Sequence, residues 1–244
     1  MGARPLSRTA SPVPEHGRCV ARQLAFYHDC SSMEGRRMSF YRDTVYPHLV
    51  TALGNPKPIQ HIRRQIIPLA QGNVLEIGVG PGVNFSYYDP SRVMKLYALE
   101  PNPGMVKRAE AERLGTRLDV EFLDLPSEQI PLADHSVDTV VSTFTLCTIP
   151  DVSDAMREIR RVLRPDGQFL FFEHGLSPDA NVRRWQERTE PLFQWAFEGC
   201  HVTRHIPTIV EKSGLSIERM KTGYLARFPK SGSYYFWGIA RPAR

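Results

Sequence analysis

The sequence predicts an α/β protein: a doubly wound sheet of seven strands, ending in an antiparallel hairpin and preceded by N-terminal helices that act as a lid. Two observations carry this. From Asn73 onward, short strand-like runs alternate with helical segments, the pattern of βαβ units and a parallel sheet. The first of these runs, residues 74–77, passes straight into a turn holding Gly78, Gly80 and Gly82. The expected organisation is a flexible tail over 1–22, a helical lid over 23–71 and the α/β domain over 72–244.

Each element has its own reason. Residues 1–22 carry Pro5, Pro12 and Pro14 and no apolar periodicity, so they read as a tail. Phe40, Val45, Leu49 and Leu53 recur near one helical face, and Gly54-Asn55-Pro56 stops that helix. A second helix over 59–69 places Ile62, Ile66 and Leu69 on one side. Strands follow over 74–77, 95–100, 119–123 and 137–143. The last of these is Val-rich, as a strand covered on both faces should be. Helices separate them over 105–114 and 151–163. The second starts at Asp151 or Ser153, turns Met156, Ile159 and Leu163 inward, and ends before Pro165. A fifth strand spans 168–173. Helices over 183–197 and 206–212 then lead to strands over 216–222 and 234–241, which read as a hairpin at one edge.

Charge and cysteine usage exclude several classes of function. The 244 residues hold 31 Lys and Arg against 26 Asp and Glu, a net charge of +5. Residues 1–73 account for ten basic and four acidic residues, so the body beyond them is close to neutral. That balance argues against nucleic acid as a partner. Cys19, Cys30, Cys147 and Cys200 are too few for a disulfide framework and lack C-x-x-C spacing, so reduced thiols in the cytoplasm are expected. Adjacent Cys200 and His201 make no metal site by themselves, and no metal is expected. The longest apolar-leaning run, residues 137–149, includes Asp138 and is too short for an integral membrane segment.

The chemistry-bearing text is Glu76-Ile77-Gly78-Val79-Gly80-Pro81-Gly82 with Glu100 beyond it. Glycines let a chain turn sharply and let a ligand lie against backbone. An acid at the end of the second strand stands where a ribose presents its hydroxyls. A dinucleotide fits poorly. The third glycine comes one residue early, Pro81 removes an N–H donor, and the Glu76 carboxylate repels pyrophosphate. An amine-bearing, cationic sulfonium, S-adenosyl-L-methionine, fits better. The plainer alternative is a tight turn with no ligand.

These residues resemble the class I S-adenosylmethionine-dependent methyltransferases, over about residues 72–241, with their Rossmann-like sheet. The resemblance implies that Glu76, Gly78, Gly80, Gly82 and Asn84 form the cofactor loop. It implies that Glu100, Pro101 and Asn102 meet the ribose, and that Met105, Asp124 and Leu125 lie near the adenine. Thr143 closes the fourth strand beside them. Three further segments, Thr145-Leu146-Cys147, Phe172-Glu173-His174 and residues 197–204, are similar to the mammalian alkyl-thiol methyltransferases and their bacterial relatives. Those mammalian members have an N-terminal membrane anchor, and no such segment is read here. The implied acceptor is a small molecule, a thiol ahead of oxygen, nitrogen or carbon nucleophiles, including quinone precursors. A non-catalytic cofactor-binding module is the rival class.

On the acceptor side, His174 and Glu173 end the fifth strand at the ligand edge, as a base or as structural hydrogen-bonders. Cys147 reads as a small buried side chain. Arg204 is expected to pair with Glu173 or Glu198. Phe144, Leu146, Trp195 and Phe197 are expected to wall the acceptor site. Tyr27, Phe40 and Tyr41 read equally as lid or core.

Overall fold

The computed structural model describes Tyr41 and residues 45–243. The expected tail, together with Cys19, Tyr27, Cys30 and Phe40, lies outside the described residues. Two helices come first, α1 (Tyr46–Leu53) and α2 (Lys57–Ile66), and a 3-10 turn at Ile67–Leu69 extends α2. Gly54 caps α1 and Pro56 begins α2, so the expected punctuation is realised.

The strands are β1 (Gly72–Ile77), β2 (Val93–Leu99), β3 (Val120–Leu123), β4 (Val137–Thr143), β5 (Leu163–His174), β6 (Leu215–Tyr224) and β7 (Tyr234–Pro242). The intervening helices are α3 (Pro103–Arg113), α4 (Val152–Val162), α5 (Ala180–Ala196) and α6 (Ile206–Lys212). The seven strands form one sheet in the order β3-β2-β1-β4-β5-β7-β6. Five are parallel. β7 runs antiparallel to both β5 and β6, so the late pair is a hairpin at one edge.

The glycine turn leads into a short 3-10 turn, Phe85–Tyr87, closed off by Asp89-Pro90. Two differences from the sequence reading have local causes. α4 passes directly into β5 at Leu163, five residues earlier than expected. Residues 164–167 stay extended, with Arg164 paired to Asp138 at 2.9 Å. α5 starts at Ala180, three residues earlier than expected, because the Asp179 side chain caps it by accepting the Asn181 and Val182 N–H groups, and it continues through Pro191.

Two apolar layers flank the sheet. One joins Leu75, Ile77, Val140 and Phe171 to Met156 and Ile159 of α4. The other joins Val74, Leu96, Val141 and Phe172 to Ile59, Ile62 and Ile66 of α2. The helices at 46–66, expected within a lid over 23–71, therefore belong to the same compact unit as the sheet, residues 42–244. Among the described residues, no helix is long and apolar enough to cross a membrane.

Candidate active site

The strand order reverses between β1 and β4, and open α/β sheets take ligands at the carboxyl ends beside such a reversal. Gly78, Gly80 and Gly82 form the turn leaving β1 there, with φ of +64°, +55° and +81°, values that favour glycine. The turn is anchored to β2: the N–H groups of Gly78 and Val79 both donate to the Leu99 carbonyl. A side chain at Gly78 collides with Thr145, whereas one at Gly80 meets no protein atom within 4 Å.

Glu100, at the end of β2, joins this turn to the next segment. One carboxylate oxygen accepts the Gly80 N–H at 2.9 Å and the other accepts the Asn102 N–H at 3.0 Å. Burial pushes its pKa up to about 7, against the lowering effect of those two donors. Asn102 in turn caps α3, accepting the Gly104 and Met105 N–H groups. Pro101 lies between these two acceptors, and Met105 is buried in the first turn of α3. Asp124 and Leu125 follow β3, the edge strand, and both are exposed.

Glu76, the carboxylate read beside the loop, is itself buried. It lies in a buried polar cluster. Its oxygens accept the Asn84 amide at 2.6 Å and the Tyr88 hydroxyl at 2.8 Å. The same amide donates to Thr143 Oγ1 at 3.0 Å. Arg63 of α2 donates to Asn84 Oδ1 and reaches Thr143 Oγ1 at 3.4 Å. Desolvation raises Glu76 to about 7 and lowers Arg63 below the usual guanidinium range. Arg63 Nε is buried without a partner. Arg63 and Tyr88 carried no sequence signal, because nothing in their local text marks them as polar core.

At the ends of β4 and β5 the chain is sharply bent. Phe144 has φ +56°, a strained value for a bulky residue and one of the kind that clusters at functional sites. Its ring packs at a tilt against His174, with centroids 4.4 Å apart. Glu173, fully buried, holds this bend: one oxygen accepts the Ser142 hydroxyl at 2.6 Å and the Thr145 N–H at 3.2 Å. Its other oxygen has no partner, and burial raises its pKa.

Cys147 is buried, as expected, yet not in a bland setting. Cys200 Sγ lies 3.6 Å from Cys147 Sγ and 3.9 Å from His174 Nδ1. His201 does not join them. It turns to Glu190, at 2.7 Å, and to Gln194. Arg204 donates to the Leu146 carbonyl instead of pairing with Glu173 or Glu198, because the bend at Leu146 brings that carbonyl to it. Leu146 is fully buried and Phe144 half-buried, but Trp195 is 71% exposed on α5, whose inward face is Val182 and Gln186. Trp195 is therefore on the outside of that helix, not on an acceptor wall.

The residues present fit an S-adenosylmethionine-like ligand on three counts. Open space lies over Gly80, and a buried carboxylate ends the second strand, where it would suit ribose hydroxyls. An orphaned Arg63 N–H beside Glu76 complements the carboxylate and amine of an amino-acid end.

Comparison with known proteins identifies the family and the fold. Residues 75–171 match the family model described as a methyltransferase domain. The chain is similar to human thiol S-methyltransferase TMT1A, 31% identical over 72% of this chain and 69% of that protein. It is 35% identical to human thiol S-methyltransferase TMT1B over 62% of this chain and 64% of that protein. Against rat TMT1B it is 33% identical, and the match spans 59% of each chain, so less than two thirds of either TMT1B relative is covered. Among solved structures, a putative methyltransferase from Haloferax volcanii superposes with TM-score 0.64 at 16% identity, covering 84% of this chain and 97% of that one. An S-adenosylmethionine-dependent methyltransferase from Methanosarcina mazei gives 0.57 at 18% identity, over 78% and 99%.

Proposed function

Since the chain belongs to the class I S-adenosylmethionine-dependent methyltransferases, we propose that it transfers a methyl group to a small-molecule thiol. The observation that carries the cofactor half is Glu100 locked to Gly80 beneath open space, at the reversal of strand order. When bound, the cofactor supplies an electrophilic methyl group on a positively charged sulfur. The chain's residues then have separable tasks. Glu100 holds the ribose hydroxyls, while Asn102 fixes the start of α3 and so the position of Met105 against the adenine. Asp124 and Leu125 border the adenine edge. Arg63 and Glu76 take the amino-acid end, with Asn84 and Thr143 holding both in place.

The thiol half rests on the acceptor end. Alignment and exclusion of water supply much of the rate for an already activated leaving group. Leu146 and Phe144 are the apolar part of that environment. His174, at the end of β5, is the side chain that favours the acceptor's thiolate. Glu173 is a positioning residue, since one oxygen of its fully buried carboxylate holds the bend through Ser142 and Thr145. The thiol methyltransferase relatives support the same acceptor. The free thiols of Cys147 and Cys200 support a reducing compartment, the cytoplasm. The near-neutral body supports a small-molecule acceptor over nucleic acid.

The test is a mass-spectrometric acceptor screen with alkyl thiols, sulfide, phenols, quinols and amines across a pH series. Thiol methylation rising with pH through the acceptor's own pKa is expected. Methylation of quinols or amines but not thiols overturns the thiol reading. In that event the cofactor assignment stands, and a C- or N-methyltransferase, similar to the quinone-biosynthesis C-methyltransferase of Bartonella tribocorum, takes its place.

A further inference from the structure

We propose that Cys147, His174 and Cys200 form a three-ligand site for a zinc ion, whose fourth position takes the acceptor thiol. The binding claim stands on this chain's geometry; the role at the fourth position rests on the thiol reading above.

The three residues come from three places: the bend after β4, the end of β5 and the loop after α5. Their donor atoms all lie within 4.8 Å of one another, with the two sulfurs 3.6 Å apart and Cys200 Sγ 3.9 Å from His174 Nδ1. A tetrahedral zinc ion with its usual bond lengths needs donors separated by about 3.5–3.8 Å. The two separations that involve Cys200 are within a few tenths of an ångström of this, and the Cys147–His174 separation, bounded at 4.8 Å, closes with a movement of at most about 1 Å. Two sulfurs and an imidazole are soft donors, which select zinc or copper(I) over magnesium, calcium or manganese. Three protein ligands with one open position are the pattern of a catalytic zinc; a structural zinc is closed by four.

The surroundings hold these donors rigidly. Phe144, at φ +56°, packs its ring at a tilt against the His174 ring. Glu173 fixes the bend that carries Cys147. Gly199, at φ +88°, turns the chain into Cys200. The His201 N–H donates to the Cys147 carbonyl at 2.8 Å and ties the two cysteine segments together. A core filled only for volume has no need of a histidine among its sulfurs.

The coordination step balances simply. The acceptor's S–H bond breaks, its proton leaves to solvent, and the sulfur keeps the electron pair and forms the bond to zinc, displacing water. Two protein thiolates and the acceptor thiolate leave one net negative charge on the ion. The Arg204 guanidinium, near enough to interact electrostatically with both cysteine sulfurs, offsets it. Methyl transfer would form the acceptor's S–C bond as the cofactor's sulfonium C–S bond breaks and leaves its electron pair on that sulfur, and the resulting neutral thioether, a poorer ligand, would vacate the position. His174 thus favours the thiolate as a metal ligand.

The experiment is metal analysis and cobalt substitution on the full, reduced chain. One zinc per chain is expected. Cobalt(II) should give thiolate charge-transfer bands in the near ultraviolet and intense visible bands of a tetrahedral site, both perturbed by an added alkyl thiol. Cys147→Ser and Cys200→Ser should each weaken metal binding more than tenfold, and His201→Ala should leave it unchanged. Folded, reduced protein that shows no thiolate–cobalt bands overturns the site. So does a mass lower by two hydrogens in freshly purified chain, with metal still refused after reduction, since the sulfurs then serve as a redox pair. Full thiol methylation by chelator-stripped protein overturns the metal's role and leaves the thiol reading intact. Cobalt bands in a protein that methylates no thiol establish the site and sink that reading instead.

Discussion

Replacing Gly80 with alanine separates folding from ligand binding more cleanly than any other change in this molecule. A Cβ at this position meets no protein atom within 4 Å, so the substitution creates no internal clash. What remains is the backbone penalty of a non-glycine residue at φ +55°, about 1–2 kcal/mol. For a chain of this size that lowers Tm by roughly 2–8 °C. The Gly80 N–H still donates to Glu100, because the backbone donor is retained. The added methyl group does, however, fill space assigned to the cofactor. S-adenosylhomocysteine should therefore bind at least tenfold more weakly, a loss of about 1.4 kcal/mol or more. Calorimetric titration and thermal unfolding of the same preparation check both halves. Affinity within twofold of wild type, in a folded variant, means that the space above Gly80 does not hold the cofactor, and the placement at β1 fails with it. Gly78→Ala is the contrast, since its Cβ collides with the Thr145 side chain and stability should suffer more than at Gly80.

Glu76 and Glu100 both have pKa values raised to about 7 in the folded state, from ordinary values near 4.5. Their protonated forms are favoured by folding, so stability is fullest below pH 4.5 for these two groups and declines as pH rises to 7. Glu76→Gln should flatten that decline in urea unfolding measured from pH 5 to 8; an unchanged slope contradicts the burial argument. If Glu100 must be ionised to hold the ribose, S-adenosylhomocysteine affinity should increase roughly tenfold from pH 6 to 8, and Glu100→Gln should abolish that dependence. Arg63→Ala removes the buried cation beside Glu76 and should cost about 3–5 kcal/mol in chemical denaturation; a loss below 1 kcal/mol shows that the cluster does not depend on it. Glu173→Gln should retain more activity than His174→Ala, and the reverse order would restore Glu173 as the group that handles the acceptor's proton.

What the sequence disclosed was local, and what it concealed was assembled at a distance. The glycine turn, Glu100 and the Asn102 cap lie within about one βαβ unit, where residue types report directly on backbone shape and ligand contact. β4 and α6 were legible to the residue because Val periodicity and flanking turns bound them on both sides. Arg63 stands 21 residues from its partner Asn84, on a helix whose other inward residues are isoleucines, so its text reads as one more exposed arginine. Cys147, His174 and Cys200 are about 26 residues apart in turn, and only the pairing of β4 with β5 and the return from α5 brings them together. The adjacent Cys200-His201 drew attention in the text, yet the two side chains point to different partners.

The placement of β7 between β5 and β6 has a consequence for how the chain is made. Until Tyr234–Pro242 has been synthesised, β5 has a bare backbone edge over residues 169–174, and β6 has no neighbour at all. The interval from His174 to Pro242 is 68 residues, which takes roughly 3–14 s of translation at usual rates. Throughout that time Phe169, Phe171 and Phe172, all buried in the finished protein, border an unpaired strand that invites association with other chains. A nascent chain of this design gains from slow folding of its fifth strand, or from a chaperone that occupies the edge until the last strand arrives.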